Sequence, residues 1–281
     1  MMLLLARLFS CFLVLAAGTA GAQQKVELPS LDAGVRLPAL WFAAAGAGPR
    51  PAVVLLHGCG GAFDRHGRLT ERFRDTVERL NAMGVAALVP DSLAPRGETQ
   101  ICTQRLGTRA VTQTQRRRDA LGALKWLAAR PEVDPRRLGL LGWSNGGSTV
   151  LAATNRRQAE VAAAGIAPAF AAAFYPGCQA DLARGYEPTA PLLLLVGAAD
   201  DWTPAEPCRQ LARAAGVQIE TYAGAYHGFD GSGPVRLRTD VPNGVHPGQG
   251  VHVGGDPAAR TAALERLDDF VRERFALPAV R

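Results

Sequence analysis

The sequence has almost no lysine: Lys25 and Lys125 are the only two, and arginine supplies the rest of the basic charge. The formal net charge is +6, and a basic chain can serve nucleic acid. Here the arginines are scattered among Asp and Glu. The one tight run, Arg116-Arg117-Arg118, reads as the solvated start of a helix, so no nucleic-acid partner is expected. There is no C-x-x-C pair, which weakens zinc-site and thioredoxin-like readings. No internal repeat and no long low-complexity tail is present, so solenoid and disordered classes are excluded. Beyond the first two dozen residues no apolar run is long enough to span a bilayer.

The beginning of the chain differs from the rest. Met1–Arg7 carries one positive charge, Leu8–Ala17 is nearly all apolar, and Ala20-Gly21-Ala22 follows the small-x-small cleavage rule. Residues 1–22 are therefore expected to be a signal peptide, with a single domain over 23–281. Cys11 lies inside the apolar run rather than after it, against a lipid anchor. A periplasmic or secreted protein without a stable membrane anchor is expected. Removing Cys11 leaves Cys59, Cys102, Cys178 and Cys208. Four is an even number, and export would place them where disulfides persist; sequence alone permits three connectivities.

What is abundant is apolar residue, 48% of 281, enough for one globular core. Short continuous apolar runs read as buried strands at Pro51–Leu56, Val85–Val89, Leu138–Leu141, Phe170–Tyr175, Leu192–Val196 and Gln218–Tyr222. Helical spacing occupies Leu69–Met83, Thr112–Arg130, Asn145–Arg157, Pro204–Ala215 and Pro257–Phe275. The alternation predicts an α/β fold, a mainly parallel sheet with helices on both faces. Ligands of such sheets sit beyond the carboxyl ends of the strands.

The chemistry-bearing residues fall there. Gly142-Trp143-Ser144-Asn145-Gly146 matches G-x-S-x-G. It stands between a strand and a helix, where the turn lifts a serine hydroxyl clear of the sheet. The alternative is a glycine-rich turn with a capping serine. A serine needs a base; His227, in Tyr226-His227-Gly228-Phe229-Asp230, follows the last core strand and keeps the order serine, acid, histidine. His66 reads as solvated, and His246 and His252, in the Gly/Pro-rich segment 231–255, as structural. The acid is Asp200 or Asp201, directly after a strand. Asp200 falls where this turn usually presents the carboxylate, and Asp201 would cap the next turn. Two N–H donors are needed for the oxyanion: Asn145, and Cys59 or Gly60 in the loop His57-Gly58-Cys59-Gly60-Gly61. A thiol nucleophile at Cys59 lacks a base. Trp143, Tyr175, Trp202 and Tyr226 are candidate pocket walls, with core packing the alternative for at least two.

Taken together, these residues resemble the dienelactone hydrolase family of the α/β-hydrolase superfamily. The likeness is carried by Leu56 to Gly61, Pro90-Asp91-Ser92 with Pro95-Arg96-Gly97, Gly142 to Gly147, Phe174 to Cys178, Gly197 to Pro204 and Ala225 to Phe229. It implies an α/β-hydrolase fold and hydrolysis of a small carboxylic ester or lactone, with no metal or organic cofactor. Ser144 stands where founding members carry a cysteine. Arg96 loosely matches a family arginine that binds a substrate carboxylate; the alternative is a loop arginine paired with Glu98. In this frame the expected bridges are Cys59–Cys102 and Cys178–Cys208. The expectation is a serine hydrolase working through an acyl-enzyme on Ser144, His227 and Asp200. The rivals are an acyltransferase or peptidase with the same triad, a non-catalytic binding protein on the scaffold, and a thiol redox protein.

Overall fold

The structure, a computed structural model, describes residues 23–278; the expected signal peptide lies outside the described residues. In chain order the elements are β1 (Gln23–Pro29), β2 (Arg36–Phe42), β3 (Arg50–Leu56), α1 (Glu71–Ala82), β4 (Ala86–Pro90), α2 (Gln113–Ala128) and β5 (Val133–Trp143). There follow α3 (Asn145–Thr154), α4 (Ala159–Ala163), β6 (Phe170–Phe174), α5 (Gln179–Arg184), β7 (Leu192–Gly197) and α6 (Ala205–Ala215). The chain continues through β8 (Gln218–Tyr222), β9 (Arg236–Arg238), β10 (Val251–Val253) and α7 (Pro257–Phe275).

Eight strands form one sheet in the order β1-β2-β4-β3-β5-β6-β7-β8. Strands β3 to β8 run parallel, and β1 and β2 add an antiparallel end. All six strands expected from the sequence are present. The end hairpin was not expected, because β1 is mostly exposed and carries little apolar signal, while Pro38 interrupts β2.

Alternate residues of β3 point to opposite faces of the sheet. Ala52, Val54 and Leu56 join the core layer beneath α2, α3 and α6. Val53 and Leu55 join the layer beneath α1 and α7, with Phe73, Leu80, Phe270 and Phe275. Helices thus cover both faces, as continuous apolar strands require.

Two expectations fail locally. The helix read as Asn145–Arg157 stops at Thr154. Asn155 leaves the helical region and spends its buried side chain on Asp181 Oδ1 and on the backbone N–H groups of Arg157 and Glu187. The run Arg116-Arg117-Arg118 is not a solvated helix start. Arg116 and Arg117 are buried, because α2 is sandwiched against neighbouring elements there. Arg117 and Arg118 share Glu160, and Arg118 also reaches Asp32. Apolar periodicity cannot register such a face, since its buried members are cationic.

Candidate active site

Ser144 joins β5 to α3 at φ 55° and ψ −117°, a conformation costly for a residue with a side chain. The glycines around it make the turn sterically feasible. A Cβ on Gly146 would lie 2.0 Å from the Leu56 carbonyl oxygen, and one on Gly142 would lie 2.3 Å from that of Gly146. The backbones of β3, β5 and α3 therefore pass closer than any side chain allows, and Ser144 is held at the carboxyl edge of the sheet.

His227 Nε2 lies 2.8 Å from Ser144 Oγ, and its Nδ1 lies 2.8 Å from Asp200 Oδ2. Imidazole and carboxylate are both buried. The pair fixes the neutral tautomer, with the proton on Nδ1 facing the carboxylate and Nε2 free to accept from the serine. Asp200 Oδ1 accepts the backbone N–H groups of Trp202 and Thr203, so it also caps the turn, a task expected of Asp201. Asp201 instead binds His252. Thr203, which carries no motif signal of its own, sets its hydroxyl 3.0 Å from both Asp200 Oδ2 and the Tyr175 carbonyl and 3.1 Å from His227 Nδ1, with one proton to give among them.

The ring of His227 is enclosed by Tyr175 and Trp202, each with its centroid 4.6 Å away. Tyr175 is itself held at φ 37°, and its hydroxyl donates to Asp230 Oδ1 at 2.6 Å. Arg72 grips both oxygens of Asp230. Burial pushes the Tyr175 phenol well above its ordinary value, so it remains a donor. Arg72 and Asp230 were not foreseen, because they lie 158 residues apart in the chain.

The candidate oxyanion donors lie on either side of Ser144. Asn145 is the first residue of α3, where an N–H has no intrahelical acceptor. Gly58, next to Cys59, is packed so that a Cβ there would lie 3.5 Å from that of Ser144. Among the described residues neither the Asn145 nor the Cys59 N–H is donated to another protein group. The disulfide Cys59–Cys102 fastens this loop, and Cys178–Cys208 is also present, as expected.

Two cavities meet at Ser144. One of about 380 Å³ is bordered by Gly60, Arg72, Tyr175, Trp202 and Arg238. The other, about 640 Å³, is walled by Leu106, Val111, Ala152, Pro204, Pro207 and Val245. Trp202 borders both. Trp143 touches the first but is a core residue, packed between Phe73 and Phe174. Tyr226 borders neither and packs its ring at a tilt against His252. Arg96 does not belong to either wall: its guanidinium is engaged by Asp119 and Asp32, and Glu98 accepts from Gln104 instead. Both readings of Arg96 are corrected, because the carboxylates that neutralise it come from α2 and the β1–β2 turn. His246 is exposed and lines neither cavity, while His252 makes the structural contact expected of it.

This sheet order, with the serine turn after β5 and the histidine after β8, is an α/β-hydrolase fold. The family model for the dienelactone hydrolase family matches residues 37–274, and the chain belongs to that family. No curated protein matches it. Among solved structures it is similar to a Thermogutta terrifontis esterase 2 phosphorylated by paraoxon, with TM-score 0.63, 23% identity, and coverage of 92% of this chain and 96% of that one. A dienelactone hydrolase-like promiscuous phosphotriesterase from metagenomic libraries gives 0.61, 21%, 90% and 98%. A dienelactone hydrolase from Anabaena variabilis gives 0.61, 18%, 90% and 98%.

Proposed function

We propose that this protein is an exported serine hydrolase that cleaves a small carboxylic ester or lactone through an acyl-enzyme. The observation that carries the reading is the unbroken chain Ser144 Oγ, His227, Asp200, with both hydrogen bonds at 2.8 Å. In the first half-reaction His227 Nε2 takes the Ser144 proton as Oγ attacks the carbonyl, and then returns it to the leaving alkoxide. The oxyanion faces the N–H groups of Asn145 and Cys59. In the second, a water activated by His227 attacks the acyl carbon and Ser144 leaves with the proton. Asp200 holds the imidazole and balances its transient charge.

Both cavities fall in the range of small-molecule sites. Their unlike walls suit an ester with one apolar and one more polar side. The two disulfides agree with a chain delivered to an oxidising compartment, as the leader over residues 1–22 implies.

Hydrolysis of a short-chain p-nitrophenyl ester by residues 23–281 tests the reading beside Ser144→Ala. Loss of the serine is expected to lower turnover by on the order of 10⁴-fold. Exposure to paraoxon is expected to add a phosphoryl group to Ser144 in wild type alone. Equal turnover by both proteins would overturn the assignment. A folded wild type inert to esters, lactones and paraoxon would favour a binding protein on this scaffold.

A further inference from the structure

The side chain of Arg116 is fully buried, yet among the described residues no carboxylate approaches it within salt-bridge distance, whereas Arg117 and Arg118 beside it both reach Glu160. Its Nη1 donates to Asn145 Oδ1 at 2.5 Å, and its Nε has no partner. The Nη2 atom lies 3.4 Å from His57 Nδ1. That nitrogen is itself committed: it lies 2.8 Å from the Gly58 carbonyl, while His57 Nε2 accepts from the Ser92 N–H at 3.2 Å. The proton of His57 therefore sits on Nδ1, and Arg116 gains no acceptor from it. Burial, followed by the charge of Arg116, holds His57 down to about 3, so the imidazole is neutral. Burial also lowers Arg116, to about 10, which still leaves a full cation at neutral pH.

A buried guanidinium without an ion pair and with an unsatisfied Nε is costly and is not explained by packing. Its position offers an explanation. The one strong bond it makes is to the residue directly after Ser144. The main chain of Asn145 is held as well: its carbonyl accepts from Gln113 Nε2 at 3.0 Å and from Thr149 Oγ1 at 2.9 Å. Side chain and carbonyl are thus both clamped, and the N–H is left pointing outward from the start of α3. Asp119 and Asp91 lie close enough to act on the charge of Arg116 without pairing with it, so the direct contact through which Arg116 reaches the site is the bond to Asn145.

We propose that Arg116 is a positioning residue for the oxyanion site: it fixes Asn145 through its side-chain oxygen, so that the Asn145 N–H is held in place when an oxyanion forms. The inference rests on Ser144 acting as the nucleophile. Substrate in its ground state carries no oxyanion, so the contribution belongs to the transition state and to anionic tetrahedral adducts.

The test uses Arg116→Met, Arg116→Lys, Asn145→Ala and the double variant Arg116→Met/Asn145→Ala, with kcat, KM and the affinity for an aryl boronic acid, which becomes a tetrahedral anion on the serine. Arg116→Met is expected to lower kcat by on the order of 10- to 100-fold, with KM within about threefold of wild type. Boronate affinity should fall by a similar factor, and Arg116→Lys should recover part of both. The double variant should cost less than the product of the single effects, because the two side chains act through one contact. If Arg116→Met does not fold, Arg116→Lys and Asn145→Ala carry the same measurements. Unchanged kcat and boronate affinity, or a loss carried by KM alone, would overturn the proposal. An active Ser144→Ala would instead overturn the reading on which it rests, so the two failures are distinct.

Discussion

Asp201 engages His252 twice, accepting the backbone N–H on Oδ1 at 2.8 Å and lying 2.7 Å from ring Nδ1 through Oδ2. Its neighbour Asp200 faces the other way, into the buried site and onto His227. Two adjacent carboxylates thus hold two histidines, one at the serine and one in the β9–β10 hairpin. Asp200→Asn would present an amide to Nδ1 and favour the wrong tautomer. It should lower kcat by on the order of 10⁴-fold. Asp201→Asn should lower it less than about tenfold, by loosening the hairpin that reaches His227 through Val253. Side-by-side turnover measurements decide; comparable losses would reverse the assignment of roles.

Arg96 gives a prediction opposite to the one its family-like position suggests. Its guanidinium binds both oxygens of Asp119 and one of Asp32, and the Asp119 carboxylate has no solvent exposure. Arg96→Met would leave that carboxylate buried without its ion pair, with the Ser30 hydroxyl as its remaining side-chain donor. A stability loss of about 3–5 kcal/mol follows, while KM of the remaining folded enzyme should be unchanged. Denaturant unfolding together with KM for a carboxylate-bearing ester tests this. A raised KM at normal stability would restore Arg96 to substrate binding.

These residues mark how far the sequence could be read. The strands β3 to β8 and the turn at Ser144 were legible because each rests on a local signal: a continuous apolar run or a fixed spacing of glycines. His227 and Asp200 followed from their places after strands, and both disulfides from the family likeness. What escaped was polar and long-range. Arg116 looked solvated because burial of a cation leaves no hydrophobic trace, and Arg96 found partners on elements 23 and 64 residues away. Tyr175 was legible only as an aromatic. Its role in seating His227 depends on Asp230 and Arg72, which only the folded chain brings together.

The Cys59–Cys102 bridge closes a separation of 43 residues and Cys178–Cys208 one of 30. Loop-closure entropy makes each worth about 3–4 kcal/mol. Only the first fastens the loop that carries the Cys59 N–H, where Ile101 also donates to the Cys59 carbonyl at 2.8 Å. Replacing either pair by alanine should lower stability by a similar amount. The Cys59/Cys102 variant should lose the greater share of kcat at temperatures where both remain folded. Equal kinetic losses would mean that the first bridge supports the fold alone.

His57 makes the fold sensitive to acid. Buried between Gly58, Ser92 and the Arg116 cation, it keeps a neutral ring down to about pH 3, whereas its ordinary value is 6.5. Between these values the unfolded chain binds the extra proton, so stability is complete above pH 6.5 and is lost as the pH falls toward 3. At pH 5 the loss assigned to this ring is about 2 kcal/mol. His57→Gln removes the titration and keeps an acceptor for the Ser92 N–H. Unfolding free energies measured from pH 7 to pH 5 should therefore fall more steeply in wild type than in the variant, by about that amount. Parallel curves would show that His57 is not the group that titrates.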